Sequence, residues 1–235
     1  VDQKSLIAIV TCRARLKTWV EVIRDTWLPS VPKDKADARF FVGRGELEVP
    51  EDVVQLDCND AYEGLPEKVR AIARWAKARE YAFMLKCDDD VMLKPTALLN
   101  SGYELYDYSG RANRPPQPYV VPMGFNYWLS KKCIEIVSEA PLPENFDDEK
   151  WVSKTLWKHG IVLVDDVRYA LHTKLIDPPK RALRSPRSPR RDLYIIPEKE
   201  PDYFSRCIYL QEELDVKLEE FKKVFNKYGE KVNER

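Results

Sequence analysis

Tyr81-Ala82-Phe83-Met84-Leu85-Lys86-Cys87-Asp88-Asp89-Asp90-Val91-Met92-Leu93 is an apolar run that breaks abruptly into three adjacent carboxylates. A short apolar segment such as Ala82 to Leu85 reads as a buried strand, and in open α/β sheets ligands gather beyond the carboxyl ends of strands. Asp88, Asp89 and Asp90 are therefore expected at the rim of a sheet. Three neighbouring carboxylates repel one another and are costly to desolvate without a cation, so a hard divalent metal carrying a phosphorylated ligand is the natural partner. A solvated acidic turn is the competing reading on composition alone.

The chain of 235 residues suits one large α/β domain. Lys plus Arg and Asp plus Glu number 39 each, which removes the global basic field that drives non-specific nucleic-acid binding. Cys12, Cys58, Cys87, Cys133 and Cys207 form no CxxC pair, which argues against a zinc ribbon or a disulfide scaffold and fits a reducing compartment. No apolar run approaches the roughly 20 residues of a membrane span. The expected location is the cytoplasm, or a soluble catalytic fragment of a membrane-anchored enzyme.

Around the triplet, strands and helices alternate as in a largely parallel sheet. Leu6 to Val10 reads as the first buried strand, and Thr11 to Arg15 as a turn into a helix striped by Leu16, Val20, Ile23 and Trp27. Arg13, Arg15 and Arg24, near that turn, can hold a diphosphate or remain solvated. Arg39 to Val42 and Val53 to Leu56 are further strands. Pro66 opens a helix carrying Val69, Ile72, Ala73 and Ala76, whose first turn contains Lys68. A lysine there opposes the helix dipole, which points to an anionic ligand nearby or to a plain surface residue.

After the triplet, Lys94-Pro95-Thr96 starts a helix expected to reach about Tyr106, and Ser109 to Pro118 reads as loop. Tyr119 to Pro122 and Phe125 to Leu129 read as strand segments around Met123-Gly124, and Ser130 as the cap of a helix over Lys131 to Ser138. A second acidic cluster, Asp147-Asp148-Glu149, begins a helix ending at His159-Gly160; capping alone can account for it. Ile161 to Val164 is a strand, and Arg168 to Leu171 leads to His172. Residues 177–192 form a basic Pro/Ser/Arg loop. Residues 193–235 are a C-terminal extension with an amphipathic helix, marked by Leu214, Leu218, Phe221, Phe225 and Tyr228, that packs on the domain of residues 1–176.

Several ordered segments together resemble the β-1,3-galactosyltransferase and fringe group of glycosyltransferases. Ile23-Arg24-Asp25-Thr26-Trp27 is similar to that family's Ile-Arg-x-Thr-Trp. Asp60-Ala61-Tyr62 with Leu65, Lys68 and the later Trp75 is similar to its Asp-x-Tyr-x-x-Leu-x-x-Lys segment. Phe83 to Val91 resembles its apolar strand and Asp-x-Asp, and Gly124 to Ser130 its Gly-rich, aromatic, Leu-Ser segment.

The resemblance implies the GT-A fold of nucleotide-diphosphosugar transferases: a single Rossmann-like domain whose mostly parallel mixed sheet is flanked by helices. It implies a nucleotide-sugar donor, in the first place a UDP-sugar, a saccharide acceptor, and Mn²⁺ or Mg²⁺ as cofactor. Carried over residue by residue, Asp88, Asp90 and His172 are the metal ligands and Asp89 reaches the donor ribose or sugar. Thr11, Arg13, Arg15, Lys68, Asp88 and Gly124 join Asp89 around the nucleotide. The family's base is the second acid of Glu-Asp-Val-aromatic-Val-Gly, which falls on Glu149 in Asp148-Glu149-Lys150-Trp151-Val152-Ser153, or on Asp148 if one residue is inserted. Glycosyl transfer independently requires a carboxylate to take the acceptor proton and a cation opposite the departing diphosphate. The expected activity is inverting hexosyl transfer. A metal-dependent hydrolase of nucleotide sugars or phosphodiesters, and a non-catalytic RNA-associated protein acting through the basic loop, are the alternatives.

Overall fold

The computed structural model describes residues 4–46, 48–113, 118–145, 147–166, 168–172 and 205–208, with the backbone alone at 125, 170–172 and 205–208. The basic loop at 177–192 and the helix proposed around Leu214 to Tyr228 lie outside the described residues.

β1 (Ser5–Val10) is buried along its whole length. Leu6, Ala8 and Val10 pack on one face of the sheet and Ile7 and Ile9 on the other. That two-sided burial explains a continuous apolar run in place of alternation. β2 (Ala36–Val42) and β4 (Phe83–Asp88) flank β1 in parallel, and β3 (Val53–Gln55) adds to β2. β7 (Val121–Ser130) lies antiparallel beside β4; β6 (Tyr108–Asn113) follows it, and β8 (Val164–Asp165) closes the order β3-β2-β1-β4-β7-β6-β8. α1 (Trp19–Asp25) and α3 (Pro95–Leu99) cover one face, where Trp19, Trp27, Trp128 and Tyr103 fill the core. α2 (Leu65–Lys77), α4 (Lys131–Glu139) and α5 (Asp148–Lys158) cover the other. A second sheet places β10 (Ser205–Ile208) between β5 (Val91–Leu93) and β9 (Tyr169–His172).

Two local expectations need correction. Residues 109–113 belong to β6. Gly110 there meets the β7 backbone so closely that a Cβ would stand 3.1 Å from the Asn126 carbonyl oxygen, and the register shifts between Gly110 and Ala112. The glycine that reads as a loop former is what lets two strands approach at a bulge. The helix opened by Pro95 stops at Leu99, because Gly102 takes a left-handed φ of 79° and sends Tyr103 down onto Trp128, ring centroids 3.8 Å apart.

The parallel strands β1, β2 and β4 all end on one edge, which gathers Thr11, Gly43 and Asp88. β7 runs the opposite way and so brings Gly124, near its start, to that same edge.

Candidate active site

Two carboxylate-lined arrangements meet on this edge. The first is built around Asp60, whose Oδ1 accepts from the Gly43 amide at 2.6 Å and from Lys68 Nζ at 2.8 Å, and whose Oδ2 accepts from the Arg13 amide at 2.8 Å. Burial opposes charging of this carboxyl, but those donors hold it below the usual range. Lys68 is only 1% exposed and also donates to the Thr11 carbonyl at 2.7 Å. The anion that draws a lysine into the first turn of α2 is thus Asp60 of the chain itself. Asp60 fastens the turns after β1 and β2 to that helix.

The second arrangement is the triplet. Period-two alternation along β4 sets Met84, Lys86 and Asp88 toward α5, and Leu85 and Cys87 toward the opposite core. Asp89 turns back to β1: its Oδ2 accepts from Thr11 Oγ1 at 2.7 Å and its Oδ1 pairs with the Arg15 guanidinium. Burial pushes the Asp89 carboxyl up, and Arg15 and Thr11 pull it down. Asp90 is pushed up to about 6 by burial and by the charge of Asp89. Asp88 is raised well above its usual range, again by burial first, with Lys86 opposing and Asp90 adding to the rise. These are carboxylates that an added cation would relieve.

The second acidic cluster faces the first across Lys86. Asp147 is the N-cap of α5, accepting from the Lys150 amide at 3.0 Å, so capping is performed by the residue before the pair of interest. Asp148 is 1% exposed, and burial pushes its carboxyl up to about 7, with Lys86 pulling down and Glu149 adding to the rise. The Glu149 side chain keeps 21% exposure and reaches the cleft. Its Oε1 would lie 2.8 Å from a Cβ added at Gly124, so glycine at 124 is what admits it.

Lys86 Nζ stands 2.7 Å from Asp88 Oδ1, 3.5 Å from Glu149 Oε1 and 3.7 Å from Asp148 Oδ2, and donates to the Gly124 carbonyl at 2.6 Å. Tyr62, two-thirds exposed, lies within the electrostatic reach of Glu149, Asp148 and Asp88.

Of the residues singled out from the sequence, Thr11, Arg15, Asp88, Asp89, Asp90, Gly124, Asp148 and Glu149 thus gather at one cleft on this edge, with Thr11, Asp89 and Asp148 buried behind it. Arg13 and Lys68 buttress its β1 side, and Arg13 also contacts the Gly45 carbonyl at 3.2 Å. Arg24 lies apart, donating to Asp52 Oδ2 at 2.8 Å and to Glu21. His172 is known by its backbone: it pairs with Ile208, one step beyond the register that joins Leu171, Cys207 and Val91. The step beyond Val91 is Asp90, so His172 and Asp90 sit at the same end of the second sheet, two strand spacings or roughly 10 Å apart. No three His, Cys, Asp or Glu side chains among the described residues are already arranged as a metal cage. Lys86 had no role assigned from the sequence, although a lysine inside the buried run Met84-Leu85-Lys86-Cys87 is itself a signal, because such a charge needs carboxylate partners.

Residues 20–104 match the family model for galactosyltransferases. The Arabidopsis thaliana protein named "Probable beta-1,3-galactosyltransferase 13" is 30% identical over a region covering 32% of this chain and 28% of that one, so the chain matches under a third of that relative's length. A glycosyltransferase involved in glycosylation of the major capsid of PBCV-1 shares the fold at TM-score 0.51 and 13% identity, over 93% of this chain and 99% of that one. A protein from Desulfovibrio desulfuricans G20 assigned as a nucleotide-diphospho-sugar transferase lies at TM-score 0.46 and 13% identity, over 69% of this chain and 79% of that one. The fold is therefore GT-A, and the segment from α1 through the acidic triplet is similar to the galactosyltransferase family.

Proposed function

We propose that the chain is the catalytic domain of an inverting, divalent-cation-dependent glycosyltransferase that moves a hexosyl group from a UDP-sugar to a saccharide hydroxyl. The observation that carries this reading is the meeting of two acidic clusters, some sixty residues apart in sequence, within 3.7 Å of the single Lys86 nitrogen. Asp88 and Asp90 supply hard oxygen donors at the end of β4, raised by burial in a way that favours a bound cation, and the backbone register of His172 is compatible with a third ligand. Bound there, Mn²⁺ or Mg²⁺ would neutralise the diphosphate as it departs.

Glu149 is the better-placed base. It is partly open to the cleft, whereas Asp148 is sealed beneath it. Glu149 would accept the proton of the attacking hydroxyl while Asp148, held by Lys86, supports it from below. A carboxylate acting directly on the acceptor, with the leaving group on the opposite side, gives inversion. Thr11 and Arg15 hold Asp89 for the donor side, and Tyr62 offers an exposed ring to the bound sugar or base.

The test is a thermal-shift screen of nucleotide sugars with and without Mn²⁺, followed by calorimetry on Asp90→Ala. Stabilisation by a UDP-sugar only when Mn²⁺ is present, lost in Asp90→Ala, is the expected result. Unchanged binding in that variant would remove the metal assignment. Equal cleavage of the donor with and without acceptor would identify a hydrolase instead.

A further inference from the structure

The geometry points to Lys86 as a positioning residue that holds the base carboxylate of Glu149 against the donor side of the cleft. The inference rests on the transferase reading above and adds a role for a residue that touches neither substrate. Lys86 is 2% exposed in the middle of β4, a strand whose backbone is locked between β1 and β7. An ammonium has three donors. Two are committed at hydrogen-bond distance, to the Gly124 carbonyl at 2.6 Å and Asp88 Oδ1 at 2.7 Å. The third faces Glu149 Oε1 at 3.5 Å and Asp148 Oδ2 at 3.7 Å, too far to bond either fully, so it draws on both.

One positive charge therefore faces three carboxylates. A hard cation held by Asp88 would leave the charge of Lys86 to Glu149 and Asp148, and so would keep the proposed base against the donor side of the cleft. Gly124 closes the other side of the same slot: its carbonyl anchors Lys86, and the missing Cβ leaves room for Glu149. Lys86 thus joins the donor end of β4, the start of β7 and the first turn of α5 through one nitrogen.

A buried lysine beside carboxylates can equally serve folding alone, and the experiment separates the two roles. Lys86→Met combined with Asp148→Asn removes one buried charge of each sign, and Asp148→Asn alone is its reference. The double variant is expected to melt within about 3 °C of that reference and to bind UDP with Mn²⁺ within about threefold of it by calorimetry. Its kcat at saturating donor and acceptor should nevertheless be at least tenfold lower, with KM for the donor little changed. Lys86→Arg keeps the charge but not the point geometry of an ammonium, and should likewise fold, bind UDP with Mn²⁺ and lose at least tenfold in kcat.

Turnover of Lys86→Arg within threefold of the parent would overturn the inference, leaving Lys86 a charge neutraliser. Collapse of the Lys86→Arg fold would also overturn it, making Lys86 a folding residue. Absence of transfer and of UDP–Mn²⁺ binding in the unaltered chain is the distinct outcome that overturns the transferase reading and this role with it.

Discussion

Gly124 and Asp148 show how a single residue's surroundings set its chemistry. A methyl group at Gly124 would stand 2.8 Å from Glu149 Oε1, at the end of a side chain that can swing away. Gly124→Ala is therefore expected to cost little stability, on the order of 1 kcal/mol, and yet to lower turnover tenfold or more by displacing the proposed base. Parallel melting curves and steady-state rates check this. Asp148 is buried with its carboxyl raised to about 7. Between the unfolded value near 4 and that folded value, the native state binds the extra proton, so its stability declines as pH rises across the window and is flat above it. Asp148→Asn lacks this dependence. Denaturant unfolding at pH 5 and pH 8 should find the variant gaining on the parent at the higher pH; a constant difference would show that Asp148 titrates normally.

At the scale of elements, the cleft depends on α2 being fixed to the ends of β1 and β2. Lys68 and Asp60 make that joint, and the bond from Lys68 to the Thr11 carbonyl carries it to the end of β1, the proposed donor side. Replacing Lys68 by Met leaves Asp60 partly buried without its ammonium and should cost about 3 kcal/mol in urea unfolding. Asp60→Asn in the same chain should recover part of that loss, because the stranded charge is then gone. Thr11 would shift with the joint, so donor affinity is expected to fall in the single variant more than in the double. β6 teaches a related lesson about elements. Ser109, Gly110 and Ala112 have little strand propensity of their own, and it is pairing with β7, which Gly110 approaches too closely for a Cβ, that makes them a strand.

For the molecule as a whole, the C-terminal strand completes the site region from a distance. β10 pairs with β5, which begins immediately after Asp90, and with β9, which ends at His172. A chain ending before Ser205 would leave both as unpaired edges. It should melt roughly 5 °C lower or more, and lose the Mn²⁺-dependent part of its stabilisation by UDP. A truncated chain that retains both would separate the second sheet from the site. Among the described residues no helix is long and apolar enough to cross a membrane.

Much of the architecture was legible in the sequence because it rests on local rules. The buried run of β1, the apolar stripe of α2, the Ser130 cap of α4 and the break of β4 into carboxylates each follow from periodicity and end chemistry within a few residues. The ordered motifs from Ile23 to Val91 likewise sufficed to expect the family, and they fall within the matched segment. What needed the tertiary structure was every property set by partners distant in sequence. Lys68 is a buried strut because Asp60 and the Thr11 carbonyl converge on it, and β6 is a strand because β7 pairs with it. Asp148 and Glu149, adjacent in the chain and both acidic, differ in exposure because helical geometry turns one under the sheet edge and the other into the cleft. The acidic triplet could announce a site by itself, but only the fold could bring a second acid to it and place a lysine between them, since desolvation and Coulomb attraction act through space and not along the chain.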